Sequence, residues 1–282
     1  MSTDIAAFAE VIRLRFRKGE VKLPLLPKSV LQIQKIVKDE SKGASDIAKV
    51  LANSTTFSAT VLRIANSPAF RSSSYEIRSL PMAVQRLGGR RTLELMIAIS
   101  SKLHLNVKDK GFQNMLQRSK KDALYVAVTA KSLAQLLRNA DPEEAFLAGM
   151  LHDVGVLAVI CAVPDLLAPL AQPDQIQIIS MLHHEMGGRL LHYWEMPDTF
   201  ESIASHHGIE SDDRPRDKMI DIVDAAIFLV QHYGHAMLFD TKKDIDPMLY
   251  PPIQRIGATT THLAAIELDL DEAVREMELA MQ

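Results

Sequence analysis

Three observations predict an all-α protein built as two helical lobes. Strand signals are almost missing: no alternating β-branched run is bounded by Asn-Gly or Asp-Gly turns. Apolar residues recur at helical spacing along the whole chain, separated by polar or Pro-containing joints. The polar, charged joint Asn106-Val-Lys-Asp-Lys-Gly111 divides the 282 residues into an N-terminal lobe, 1–106, and a C-terminal lobe, 107–282, that ends in an acidic helix. A chain of this length can bury a sizeable core.

The elements follow in order. Residues 1–20 place Ile5, Phe8, Ile12 and Phe16 on one helical stripe. The prolines of Leu23-Pro-Leu-Leu-Pro27 enforce an extended lead-in. The next helix shows Val30, Ile33 and Val37 on one face. Ser45 caps a third, with Ile47, Val50 and Leu51 apolar, and Ser54 or Thr56 caps a fourth, with Phe57, Val61, Leu62 and Ala65. After a polar loop at 71–80, Ser79 caps a helix that stops at Gly88-Gly89, and another runs from Thr92. A long helix then carries Asp122, Val126, Ala130, Leu133 and Leu137 on an inward stripe.

Asp141 as N-cap, Pro142 at the first position and Glu144 start a single apolar helix that ends before Pro164. Farther on, Ile179, His183, Met186, Leu190 and Trp194 share a face, so His183 points inward, while His184 and His192 fall off the stripe and read as surface residues. A short helix ends at His206-His207-Gly208, and the helical period does not say which of its two histidines faces in. A core helix carries Ile220, Val223, Ile227 and Val230. Residues 264–282, with six acids and one Arg, form a last helix that reads as solvated.

The composition, 47% apolar and 24% charged, is that of a soluble globular protein, and a net charge of −3 argues against a whole-chain polyanion binder. The single Cys161 excludes an intrachain disulfide and reads as a small core residue in a reducing, cytoplasmic compartment. No signal-peptide pattern opens the chain. Ala145 to Val163 is long and apolar enough to span a bilayer, but His152 and Asp153 sit at its centre, where an Asp costs about 3 kcal/mol. A buried core helix is the better expectation, with no membrane partner.

The pair in that helix is the main chemical signal. A buried carboxylate needs a partner or a cation. Asp153 with His152 therefore reads either as a metal-ligand pair or as a capping carboxylate with a histidine partner. His152, Asp153, His183 and His206 or His207 fall on three consecutive helices at inward places, and imidazole with carboxylate suits Fe, Mn, Zn or Mg. In the first lobe, Arg63, Arg71, Arg78, Arg86, Arg90 and Arg91 against Glu76 and Glu94 make residues 60–95 locally +4. Few aromatics are interleaved, so nucleic acid is not the expected partner, and a solvated, salt-bridged face is the simpler reading.

Residues 23–103 resemble the HDOD domain of bacterial signalling proteins, through Leu23-Pro-Leu-Leu-Pro27, Leu62-Arg-Ile-Ala-Asn-Ser67 and Ser79-Leu-Pro-Met-Ala-Val-Gln-Arg-Leu-Gly88. The second lobe is similar to the HD phosphohydrolase superfamily, through Gly149-Met-Leu-His-Asp-Val-Gly155, His183-His-Glu-Met-Gly187, Trp194-Glu-Met-Pro197 and His206-His207. The resemblance implies a two-lobe helical fold and a role in signal transduction. It also implies that active HD enzymes hold a His where this chain has Asp122, and an Asp where it has Ile227. Asp224 and Asp221 stand one turn back and farther. The expectation is a non-catalytic regulator whose first lobe, with Arg63, Asn66, Arg86, Arg90 and Arg91, meets other signalling proteins or a second copy. Its residual site would be His152, Asp153, His183 and His206, with Asp122 and His207 as further donors, serving structure or one divalent ion. The alternative is a metal-dependent phosphohydrolase of a nucleotide or cyclic dinucleotide, using the same ligands.

Overall fold

A computed structural model describes residues 4–281, apart from 69, 71–75, 104–106, 210, 212–213, 236 and 240–243, and only the backbone of 101–103. Among the described residues there are helices and no strands. In chain order the helices are α1 (Ile5–Arg17), α2 (Lys28–Val37), α3 (Ala44–Ala52), α4 (Thr55–Asn66), α5 (Leu80–Leu87), α6 (Gly89–Leu103), α7 (Lys110–Leu137), α8 (Pro142–Leu151), α9 (Val154–Ala162), α10 (Pro164–Leu167), α11 (Gln172–Tyr193), α12 (Asp198–His206), α13 (Lys218–His232), α14 (Pro251–Ile256) and α15 (Thr260–Met281). The chain forms two compact units: residues 1–24 with 105–268, and residues 25–104 with 269–282.

This division differs from 1–106 and 107–282 at both ends. The first helix belongs with the larger unit because Ala9, Ile12 and Phe16 are buried and α1 packs on α11. Arg13 adds a hydrogen bond from its Nη2 to the Met181 carbonyl, 3.1 Å, and an ion pair with Glu185, 3.3 Å. The last fourteen residues belong with the smaller unit. There α15 is not solvated all round: Leu270, Val274, Met277 and Ala280 are buried at helical spacing. The boundary residue Asn106 lies outside the described residues.

Local chemistry starts several of these helices, though Ser79, at the head of α5, makes no side-chain capping bond. Asp4 accepts from Ala7 N, Ser54 from Phe57 N, Asp109 from Phe112 N, and Asp217 from Met219 N. Asp141 caps α8 by accepting from the amides of Glu143 and Glu144, at 2.8 and 3.3 Å. For α3 the cap is not Ser45. Gly43 holds that place, and Asp46 reaches back to its N–H, 3.1 Å.

In the smaller unit, Asn66 is a clamp. Its amide donates to the carbonyls of Leu62 and Ile77, at 3.0 and 2.7 Å, and its oxygen accepts from Ile77 N, 2.7 Å. Arg63 donates to the Ala280 carbonyl and Arg86 to that of Ala65. These three residues, expected on an interaction surface, hold their own unit together. Arg90 is mostly exposed and pairs with Glu94, 3.2 Å, and Arg78 pairs with Glu76, 2.9 Å. Arg91 is half-buried, and Arg71 lies outside the described residues.

The larger unit is built around α8 and α9, in which Ala145–Leu151 and Val154–Ile160 are buried on every side. α8 packs on α7, α9 on α11, and α13 on α7. Two glycines permit these approaches. A methyl group at Gly149 would run into the Ala127 backbone, and one at Gly155 into the carbonyl of His183. Residues 142–162 do make a stretch apolar and long enough to cross a bilayer, yet 89% of its most apolar window is buried inside this unit.

The expected single helix from Pro142 to Pro164 is in fact two. α8 ends at Leu151, and the chain turns through His152 and Asp153 before α9 starts. Asp153 has φ −107° and ψ 25°, outside the helical region. In a continuous helix the two side chains would diverge by about 100°. The break frees both to enter one pocket.

Candidate metal centre

The pocket lies entirely in the larger unit and has a volume of about 120 Å³. α8's C-terminus brings His152, and the turn brings Asp153. α11 contributes His183 and His184, and the end of α12 contributes His207. Asp122 enters from α7 and Ile227 from α13. Met237 and Phe239 form an apolar wall, with the Phe239 ring tilted at 34° to that of His183, centroids 4.7 Å apart.

Backbone carbonyls set the imidazole tautomers. His152 Nδ1 lies 2.7 Å from the Gly149 oxygen, His183 Nδ1 2.7 Å from that of Ser180, and His207 Nδ1 3.1 Å from that of Ile203. A carbonyl only accepts, so each Nδ1 carries the hydrogen and each Nε2 keeps a lone pair. His184 is the reverse: its Nε2 donates to the His207 carbonyl, 2.8 Å, which leaves the lone pair on Nδ1. This is the orientation that metal-binding histidines adopt.

Burial, then the neighbouring His184, drives the His183 pKa down to about 3. Burial likewise holds His207 well below the ordinary imidazole value, with His184, His152 and His183 adding to it, and lowers His184. These rings are neutral at pH 7, the form that binds metal. The linkage to stability has a definite sign. A histidine whose folded pKa is depressed is protonated first in the unfolded chain, so stability is lost as pH falls below about 6.5 and the loss continues down to the folded pKa. In the presence of a chelator, the unfolding free energy from urea titrations is expected to drop steadily from about pH 6.5 to pH 5, by up to about 1.4 kcal/mol per pH unit for each buried ring. His183→Asn should flatten that slope. A flat wild-type profile would mean that the rings take up protons while folded.

The donors fit one ion. His183 Nε2 and Asp153 Oδ1 are 3.7 Å apart, beyond hydrogen-bond distance. Two donors at about 2.1 Å from one tetrahedral ion stand about 3.4 Å apart, so the observed spacing is close to that of shared ligands. Donor atoms of His183, His184 and His207 all lie within 4.8 Å of one another, and sharing an ion requires closure of about 1 Å.

His152, Asp153, His183 and Asp122 line the pocket. His206 does not; it is half-buried, with Nδ1 at 2.8 Å from the Ser202 carbonyl, and His207 takes its place. The reason is that α12 stops at His206, and His207 has extended backbone, φ −60° and ψ 144°, outside the helical period. His184, expected on the surface, joins the cluster because α12 packs over that flank of α11. His192 is exposed, beside Glu201.

Asp122 is 4% exposed, and its Oδ2 accepts from Leu238 N, 2.5 Å. Asp224 and Asp221 are not among the residues lining the pocket. Asp224 accepts from Gly208 N, 2.7 Å, and pairs with Arg214, and Asp221 pairs with Arg214 and Arg255. Ile227 is the α13 residue in the pocket. Cys161 offers no nucleophile, since burial pushes its thiol up to about 11.

The site is a His-Asp pair at a helix break in an all-helical unit, faced by imidazoles from two more helices. The chain belongs to the HDOD domain family, whose model matches residues 23–209. A curated relative from Treponema pallidum (strain Nichols), itself uncharacterised, is 22% identical over 198 residues; the match covers 66% of this chain and 38% of that protein.

Solved structures share the fold. A candidate metal-dependent phosphohydrolase from Shewanella amazonensis SB2B superposes with a TM-score of 0.79 at 14% identity, over 99% of both chains. An HDOD domain protein of unknown function from Geobacter sulfurreducens gives 0.68 at 21%, over 98% of this chain and 99% of that one. A candidate signal transduction protein from Marinobacter aquaeolei VT8 gives 0.59 at 18%, over 99% of this chain and 65% of that one. At these identities the likeness is one of fold.

Proposed function

We propose that this chain is a cytoplasmic regulatory HDOD protein that hydrolyses no phosphoester, and that its pocket holds a single divalent ion. The observation that carries the reading is Ile227 on the pocket wall, where active HD enzymes are expected to have an Asp. Metal-assisted phosphoryl chemistry needs excess positive charge at the phosphoryl oxygens. No Lys or Arg is among the described residues lining this pocket, and its two carboxylates carry up to two negative charges. One divalent ion would balance Asp122 and Asp153 and leave nothing over for a phosphate dianion. A second ion would lack a bridging carboxylate. The neutral rings of His183, His184 and His207, with Asp153, are the residues that would hold the single ion, and nitrogen donors favour Zn, Fe or Mn over Mg. When bound, the ion would polarise a ligand on it; the protein's own part is to orient the rings and to wall the site with Met237 and Phe239.

The partners that we infer are other signalling proteins or a second copy of the chain, engaged through the smaller unit. Exposed Arg90 there, and the signalling description of the Marinobacter relative, support that choice. The full-length likeness to a candidate phosphohydrolase favours a second reading, hydrolysis of a nucleotide or cyclic dinucleotide at the same ligands with Asp122 as a substitute.

One experiment separates the two. The purified protein is analysed for metal and assayed on phosphodiesters, cyclic dinucleotides included, with Mn and with Mg. The expected result is about one equivalent of metal or less and no turnover above that of His152→Ala. Turnover that His152→Ala abolishes would overturn the regulatory reading.

A further inference from the structure

Beside the pocket lies a buried ion pair that the site itself does not use. Arg214 is 6% exposed and Asp224 1%, and their atoms meet at 2.5 Å. A pair this deep carries a large desolvation cost, which is repaid only where further hydrogen bonds complete it. Here they do. Asp224 Oδ1 accepts from Gly208 N, 2.7 Å, while Arg214 donates to the Ile209 carbonyl, 3.2 Å, and to Asp221, 2.8 Å. Gly208 has φ +69°, a conformation that suits glycine, and the turn it makes carries His207 out of helical register.

The decisive detail is which peptide group is held. The N–H of Gly208 and the C=O of His207 belong to the same planar unit. Its N–H donates to Asp224, and its C=O accepts from His184 Nε2, 2.8 Å. A carboxylate on the N–H side polarises the peptide and makes its oxygen a better acceptor. That oxygen keeps the hydrogen of His184 on Nε2 and the lone pair on Nδ1. The same peptide carries His207. One buried carboxylate, oriented by one buried guanidinium, thereby controls the direction of two imidazoles and the tautomer of one.

We propose that Arg214 and Asp224 are positioning residues of the imidazole pocket, acting through the His207–Gly208 peptide to hold His184 as the Nε2–H tautomer and so to set the pocket's affinity for a divalent ion. This inference rests on the single-ion reading above. It has the logic of carboxylates that steady metal-ligating histidines from outside, with a peptide unit interposed.

The test uses the full chain, Co(II) as the probe, and Asp224→Asn and Arg214→Lys as variants, so that one folded variant suffices. Asp224→Asn keeps the acceptor for Gly208 N but turns an amide toward Arg214. Co(II) affinity is read from the visible absorption, and the His184 tautomer from imidazole nitrogen shifts in the metal-free protein. The expected result is a loss of about ten- to hundredfold in affinity, together with a shift of His184 from the single Nε2–H form to a mixture. Helical content, followed by circular dichroism, should stay that of the wild type. A folded variant with wild-type affinity and an unchanged tautomer would overturn the proposal. Should the wild type take up no Co(II), the single-ion reading fails by itself, and the tautomer measurement still decides the positioning role. A merely structural ion pair would lower the unfolding temperature and leave both readouts where they were.

Discussion

Gly155→Ala is expected to destabilise the protein by about 3 kcal/mol or more, at the upper end of what overpacking a core costs. Intrinsic propensity predicts the opposite, since Ala in a helix is favoured over Gly by up to about 1 kcal/mol. The sign is set by what stands opposite. The added methyl would collide with the carbonyl carbon and oxygen of His183, backbone atoms of α11 that cannot swing aside as a side chain can. Gly187 repeats the constraint from the other helix, where a Cβ would stand 3.2 Å from Gly155 N. Relief requires α9 and α11 to separate, and that moves His183 away from Asp153. Urea denaturation gives the free energy directly. A variant as stable as the wild type would show that the two helices are not in backbone contact here.

His207→Ala is expected to weaken binding of a divalent ion by at least about a hundredfold, more than the loss of an outer-shell partner costs, whereas His206→Ala should change it by no more than about threefold. The two histidines are adjacent in sequence and differ in backbone. His206 closes α12, and His207, 5% exposed, has left the helix and points among His152, His183 and His184. Competition with a chromogenic chelator for Zn measures both variants. The reverse order, His206→Ala the more damaging, would sink the assignment of His207. His184→Ala belongs to the same series and should resemble His207→Ala, because His184 is one of the three clustered histidines.

Much of the scaffold could be read before any coordinates. Asp141, Ser54 and the stripe through Ile12 and Phe16 act over three or four residues, so their effects are visible within a short window. The His152–Asp153 pair stood out for a similar reason: two polar groups in an apolar run break the burial rule at that spot. Ile227 was legible as an inward residue from the helical period of α13, and it does line the pocket. His184 could have been found only by weighing that an off-stripe residue can still be covered by the next helix. For His207 the available signal was Gly208, since a left-handed residue after a helix marks where periodicity stops applying.

By itself, the sequence determined an all-helical chain, its main caps, and a His- and Asp-bearing core in the second half. Those properties depend on interactions between near neighbours and on which face of each helix is apolar. The tertiary structure alone decided that α8 and α9 break at the His-Asp pair, that His184 and His207 rather than His206 complete the cluster, and that the two chain ends change units. Each of these turns on contacts between residues far apart in the chain or just past a helix end, as Gly155 meets His183 and Gly208 meets Asp224. Helical periodicity records which way a side chain leaves its own axis; it carries no record of what waits on the other side.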